Sequence, residues 1–229
     1  MAKIVTWNSG DGIVCFDTSH VNTGQQVVDS IRKWSNDPFN ALVYTHGHAD
    51  HIAGLAGAVR GRKVGATWFG NVKRGHSAQI GDTKIKVLWP DNGEYDPNNS
   101  SIAVRIDTPD FSLFAGGDME PLTQSVIAGT MRAVDIYTVC HHGSAYQDQL
   151  FTRALSPQVA MISVGAGNSY GHPAPATLEL LAQAGAKVLR TDRDGAIAIS
   201  ARNHRLKVRT SKSKLTFLRG EWLTDKELR

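Results

Sequence analysis

The chain has 229 residues, 41% of them hydrophobic and 20% charged, with a formal net charge of +4. That is enough to bury a sizeable core in one large domain or two small ones. No apolar run reaches the roughly 18–20 residues a membrane helix requires, and two cysteines, Cys15 and Cys140, are too few for a disulfide framework. The N-terminal "MAKIVTWNSGDG" carries no secretory apolar region, so the expected compartment is the cytoplasm, with no membrane partner and both cysteines reduced. The charge is uneven along the chain. Residues 1–200 hold 16 Lys and Arg against 18 Asp and Glu, a balance of −2, whereas residues 201–229 hold 9 against 3, a balance of +6. This divides the chain into a main domain at 1–200 and a basic C-terminal extension at 201–229. A second basic stretch, free of acids, runs from His51 to Gly81 and carries Arg60, Arg62, Lys63, Lys73 and Arg74. Basic surface of this kind attracts polyanions, nucleic acid among them.

In chain order, short β-branched runs predict strands at "KIVTW", "GIVCFDT", "ALVYT", "KVGATWF", "KIKVLW", "SIAVRID", "FSLFAG", "AVDIYTV", "VAMISVG", "KVLRT" and "AIAIS". Helical spacing appears in "GQQVVDSIRKWS", where Val27, Val28, Ile31 and Trp34 share a face. It recurs more weakly in "EPLTQSVIAG", and again in "PATLELLAQAG" with Gly185 as its C-cap. Strands outnumber helices and the two are mixed, which predicts sheets covered by helices, an α/β or α+β layered domain.

The chemistry concentrates at strand ends. "THGHADH" at 45–51 places His46, His48, Asp50 and His51 within six positions, after the apolar run "ALVY" and before the helix-like "IAGLAGA". Imidazole and carboxylate are the usual ligands of zinc, manganese and iron. On a tight turn His46 and His48 can grip one ion while Asp50 and His51 reach a second. "FAGGDME" puts Asp118 at the end of another strand, where it reads either as a further ligand or as an N-cap. "YTVCHHGS" does the same for His141 and His142, and "SVGAGNSYGHP" for His172. Six of the nine histidines thus follow strand ends, where the loops of an open sheet converge on one edge.

The motif H-x-H-x-D-H resembles the signature of the metallo-β-lactamase fold. "LWPDN…NNSSIAVRI", "LFAGGDME", "VDIYTVCHHGS", "AMISVGAGNSYGHPAP" and "RTDRDGAI" narrow the resemblance to the C-terminal hydrolase domain of ComEC-type DNA-uptake proteins, over roughly residues 40–200. The resemblance implies a four-layer αβ/βα sandwich with two divalent ions, zinc or manganese, in a cleft at the sheet edge. His46 and His48 would serve the first ion, Asp50 and His51 the second, and Asp118 would bridge both. His141 and His172 are the expected remaining ligands. Adjacent residues of an extended strand point opposite ways, so only one of His141 and His142 is expected to face the ions. Asp17, in "FDTS", matches the acidic residue that orients a ligand in this fold. The sequence departs from the pattern at "NNSS", where many members carry histidine in a "GHT" motif. Asn98 or Asn99 stands there instead, as a weaker ligand or a substrate contact. ComEC-type domains usually carry aspartate where His48 stands, and they are joined to membrane segments that this sequence lacks.

The leading expectation is hydrolysis of a phosphodiester, by a nuclease or phosphodiesterase acting on DNA or another nucleotide polyanion through a hydroxide shared by two metals. Asp50 and Asp118 hold the metals and His142 donates a proton to the leaving group. Ser144 and Asn168 join Asn98 and Asn99 as substrate contacts. Two alternatives remain: hydrolysis of a small thioester, lactone or β-lactam, and a nucleic-acid-binding protein with structural metals. Oligomeric state has no signature in the sequence.

Overall fold

The computed structural model describes residues 5–8, 13–17 and 38–217. The amphipathic segment expected around residues 24–35 lies outside them. Two sheets form the framework. The first joins β1 (Val5–Asn8), β2 (Ile13–Phe16), β3 (Phe39–Val43) and β4 (Val64–Trp68) in chain order. Within it only the β1–β2 pair is antiparallel.

The second sheet has seven strands. They are β5 (Ser77–Ile80), β6 (Thr83–Trp89), β7 (Ala103–Asp107), β8 (Ser112–Ala115), β9 (Ile136–Thr138), β10 (Val159–Ile162) and β11 (Lys187–Arg190), again lying in chain order across the sheet. β5 to β8 form an antiparallel meander, and β8 to β11 run parallel. All eleven strands expected from β-branched runs are present. β5 was not legible, because "SAQI" carries one large apolar residue.

Alternation explains the layers. In β6, Thr83, Ile85, Val87 and Trp89 are buried, while Lys84 and Lys86 face out, the period-2 pattern of a sheet with one face on a core. The core between the sheets contains Val14, Phe16, Ala41 and Val43 from one side and Ile85, Val87, Val104, Ile106, Leu113 and Val159 from the other. The outer face of the second sheet presents Phe114, Tyr137 and Ala160 to three helices: α3 (Pro121–Ala128), α4 (Gln149–Leu155) and α5 (Pro175–Gln183). α3 and α5 open with proline, which costs nothing where the N–H has no helical partner. α4, which sequence periodicity missed, is started by Asp148, whose side chain accepts from Phe151 N at 2.7 Å. On the first sheet, α1 (Ala49–Ile52) and α2 (Leu55–Val59) lay Ile52 and Val59 against Phe39, Leu42 and Tyr44. Helices outside two facing sheets make the four-layer α/β sandwich that the motifs implied.

Residues 197–217 form a third sheet, β12 (Ile197–Arg202), β13 (Arg205–Thr210) and β14 (Ser213–Phe217), all antiparallel. Leu206 and Val208 enter the core between the main sheets. "RLKVRT" therefore had period-2 alternation that its positive charge obscured. The basic residues are not equivalent: Arg205, Arg209 and Lys212 are exposed, whereas Lys207 is 6% exposed.

Parallel pairing of β8, β9 and β10 sets their C-terminal ends side by side, so the loops after Ala115, Thr138 and Ile162 open on one edge. The first sheet meets that edge where Ile102 N donates to Thr45 O at 2.8 Å.

Candidate metal centre

"THGHADH" leaves β3 at this edge. Thr45 and His46 are buried, the chain bends at Gly47, and α1 begins directly after His48. That one helical turn swings His51 back beneath His46, with ring centroids 4.0 Å apart. Asp118 arrives from the loop after β8 through Gly117, whose φ is +58°. A Cβ at Gly117 would lie 2.6 Å from Thr45 Cβ and 2.9 Å from the Ser101 side chain. Glycine is therefore required for Asp118 to come this close to the β3 end.

Three imidazoles are tethered by one ring nitrogen and turn the other inward. His51 Nδ1 lies 2.9 Å from Asp17 Oδ2, His46 Nδ1 lies 3.2 Å from Ser101 Oγ, and His142 Nδ1 lies 2.8 Å from Ser163 O. The opposite nitrogens converge on carboxylates. His51 Nε2 is 3.2 Å from Asp118 Oδ2, and His142 Nε2 is 3.2 Å from Asp50 Oδ2 and 3.5 Å from Asp118 Oδ2. His48 offers Nδ1 to His46 Nε2 at 3.0 Å. Two sets have ligand atoms mutually within 4.8 Å: His46, His51 and Asp118, and Asp50, His51 and His142. Imidazoles fixed through one nitrogen and facing carboxylates with the other fit divalent cations.

Electrostatics agree with that fit. Burial, followed by the charge of His51, lowers His46 to a pKa of about 3. Burial also pulls on His51, but Asp17 and Asp118 outweigh it and hold this ring up at about 9. Burial raises Asp50, yet the hydrogen bond from His142 and the charge of His51 drive it well below the usual carboxylate range. Burial and the neighbouring His141 and His142 lower His172. A cation at the centre would supply the positive charge that His51 otherwise provides.

Asp17 is buried at the end of β2 with φ 55° and accepts from Thr45 N at 2.8 Å as well as from His51. Asp118 heads no helix, since α3 starts at Pro121 with Glu120 before it.

The division expected between His141 and His142 is reversed. His142 enters a ligand set, while His141 Nε2 stays 4.0 Å from Asp118 Oδ2 and its Nδ1 pairs with Glu120 Oε1 at 3.1 Å. The premise of alternating side chains also fails. Both residues have left-handed φ, 49° and 53°, so neighbouring rings turn toward the same edge. Gly143 continues the turn, where a Cβ would lie 2.8 Å from Pro173 Cβ. His172 packs on His141 with ring centroids 5.7 Å apart and belongs to neither ligand set.

The expected substrate contacts divide as well. Asn99 is buried: its Oδ1 accepts from Glu120 N and Thr123 Oγ1, and its Nδ2 donates to Asp96. Asn168 clamps the loop of His172 through that residue's N and O. Ser144 is 1% exposed and its Oγ accepts from Tyr146 N. The hydrogen bonds of these three side chains hold the surrounding loops. Asn98 donates to Glu120 Oε1 at 3.2 Å and keeps a buried Oδ1 without a hydrogen-bond partner. Glu120, Thr45 and Ser101 were missed by sequence reading. Thr45 adjoins His46 and Glu120 follows Asp118 by two residues, whereas Ser101 lies 17 positions before Asp118, and none is of a type that announces this role.

Solved structures share the architecture. YhfI of Bacillus subtilis, a metallo-beta-lactamase fold protein, superposes with a TM-score of 0.56 at 12% identity, over 82% of this chain and 88% of that one. This chain has the metallo-β-lactamase fold. The model of the metallo-beta-lactamase superfamily matches residues 7–77, which include the "THGHADH" cluster. CmlA of Streptomyces venezuelae, a diiron beta-hydroxylase, has the same fold with a TM-score of 0.58 at 13% identity, over 82% of this chain and 51% of that one. The metallo-β-lactamase fold therefore does not by itself fix the reaction. ComE operon protein 3 of Bacillus subtilis is 35% identical over 136 residues, 58% of this chain and 18% of its own length. Competence protein ComA of Neisseria gonorrhoeae is 26% identical over 220 residues, 86% of this chain and 32% of its own length. The chain thus spans under a third of these relatives. Among the described residues no helix is long and apolar enough to cross a membrane.

Proposed function

We propose that this chain is a metal-dependent phosphodiesterase acting on DNA or another polynucleotide. The observation that carries the reading is the convergence of His46, His51, His142, Asp50 and Asp118 at one sheet edge. Bound there, two divalent ions such as zinc or manganese would activate a water molecule and neutralise charge on phosphate oxygens. His46 and His48 would hold one ion, Asp50, His51 and His142 the other, with Asp118 between them. Asp17, Ser101 and the Ser163 carbonyl fix the inward-facing tautomers of His51, His46 and His142. His141, backed by Glu120 and on the open side of the cluster, is placed to pass a proton to a leaving alkoxide. Asn98 donates to Glu120 Oε1 and so helps to hold the carboxylate beside His141.

Two further facts favour a nucleic-acid substrate over a small thioester, lactone or β-lactam. One relative, in Neisseria gonorrhoeae, is named for competence and another, in Haemophilus influenzae, for recombination. Exposed Lys73 and Arg74 lie in the loop after β4, which passes beside Gly47 of the cluster. The hydrolase domain at 1–200 and the basic extension at 201–229 are a division of charge, with Arg202, Arg205, Arg209 and Lys212 exposed on the latter. The test is a substrate panel: protein reconstituted with Zn²⁺ or Mn²⁺ against bis(p-nitrophenyl) phosphate, DNA, a β-lactam and a thioester. Phosphodiester turnover is expected. Turnover of the β-lactam or thioester alone would replace this reading with the small-molecule one.

A further inference from the structure

Two aromatic side chains stand exposed at the rim of the cluster, on loops from different sheets. Phe69, directly after β4, is 50% exposed, and a Cβ at Gly47, between His46 and His48, would lie 4.0 Å from its Cζ. Tyr170, in the loop after β10, is 72% exposed and stacks on His172 with ring centroids 6.0 Å apart and planes 20° from parallel. His172 in turn packs on His141, at the cluster's open side.

Neither ring is a loose appendage. The Phe69 loop is closed by Asn71, which accepts from Phe69 N at 2.8 Å and donates to Thr67 O at 3.2 Å. The Phe69 ring meets Tyr44 edge-on at 6.1 Å. The Tyr170 loop is closed by Asn168, which bonds both the N and the O of His172. Exposing two large rings forgoes the free energy of covering them. At a site's rim such rings offer flat apolar faces to a ligand. Ordered rings also lose little further freedom when a ligand stacks on them. Cations share the first loop: Lys73 and Arg74 follow Phe69 by four and five residues, and both are exposed.

We infer that Phe69 and Tyr170 are stacking platforms for unpaired nucleobases, so that the polynucleotide taken by this site is single-stranded. The inference rests on the phosphodiesterase reading and narrows its substrate. Flat rings that flank a phosphate-directed cluster, with exposed cations on the loop of one of them, match the chemistry of a single strand. Its bases offer free faces and its backbone offers charge. A duplex keeps its base faces stacked inside the helix and offers these rings nothing to cover. Stacking is tolerant of sequence, because every base has a π-face, so no base preference is expected.

The test measures binding of fluorescent phosphorothioate 12-mers to metal-reconstituted protein by anisotropy. The probes are a single strand, its duplex and an abasic strand of equal charge. Phe69→Ala and Tyr170→Ala should each weaken single-strand binding by about 5- to 150-fold. Duplex and abasic binding, already weaker, should change by less than about twofold, since both keep the phosphate contacts. Phe69→Trp and Tyr170→Phe should restore single-strand affinity, which separates loss of an aromatic face from a disturbed loop. Unchanged single-strand binding in both alanine variants, or an equal loss for all three probes, overturns the inference. Turnover of bis(p-nitrophenyl) phosphate by the wild-type protein examines the underlying reading separately. Turnover combined with unaltered variant binding removes the platforms alone. Selective loss of single-strand binding without turnover removes the phosphodiesterase reading and keeps the platforms.

Discussion

Replacing Asp17 with asparagine changes one atom's identity and one charge in a buried site. Asp17 has φ 55°, a left-handed conformation that asparagine adopts readily, so the backbone is not the perturbation. The carboxylate is committed on both oxygens. Oδ1 accepts from Thr45 N at 2.8 Å, and Oδ2 accepts from Thr45 Oγ1 and His51 Nδ1, both at 2.9 Å. Asparagine has one acceptor and one donor end. If its oxygen serves Thr45 N, its NH₂ faces His51 Nδ1, and the ring must take its proton on Nε2, the nitrogen turned toward Asp118. If its oxygen serves His51, the NH₂ opposes the Thr45 N–H and a buried donor loses its partner. The first arrangement blocks a ligand atom; the second costs about 1–3 kcal/mol of stability. Metal affinity should fall by about 10- to 100-fold, the usual effect of removing an orienting partner. Competition with a chromophoric chelator reads the affinity, and urea unfolding in the presence of chelator reads the metal-free stability. If Asp17→Asn retains both wild-type metal affinity and metal-free stability, Asp17 does not set the His51 tautomer.

Three further expectations follow from geometry. His142→Ala should lose about one metal ion per chain on elemental analysis, whereas His141→Ala should keep its metal and lose turnover, because only His142 belongs to a ligand set. Asn99→Ala strands Glu120 N and takes from Thr123 Oγ1 one of its two acceptors, and should cost about 1–3 kcal/mol in denaturant unfolding, while Asn98→Ala removes only the hydrogen bond to Glu120 Oε1 and should cost much less. Changing Arg205, Arg209 and Lys212 together to glutamine should leave metal content unchanged and lower the log–log salt slope of DNA binding by roughly 0.7–0.9 for each phosphate no longer neutralised. An unaltered slope would show that the third sheet does not touch the nucleic-acid backbone.

The fold was legible where the pattern was strong. β6 and β10 could be read from alternating or continuous apolar residues, and the ligand residues from their density after β3. What stayed hidden has physical reasons. Leu206 and Val208 alternate with cations, so a core strand looked like a solvated tail. His141 and His142 lie in left-handed backbone, and a rule for extended strands misassigned them. Asn99, Asn168 and Ser144 are polar residues in site loops. Their hydrogen bonds to neighbouring groups, invisible in sequence, tie them into the loops they shape. Asp17 was placed by resemblance alone, and its link to His51 spans 34 positions of chain.

The central claim is that a metal-held cluster around Asp118 cleaves phosphodiesters. It is tested most directly by the turnover of bis(p-nitrophenyl) phosphate by wild-type and Asp118→Asn protein, each reconstituted with Mn²⁺ or Zn²⁺. The variant keeps the shape of a side chain that is 3% exposed and loses the charge facing His51 and His142. Turnover should fall by about two orders of magnitude or more, with less metal retained. Equal turnover by the two proteins, or none by the metal-loaded wild type, would contradict it.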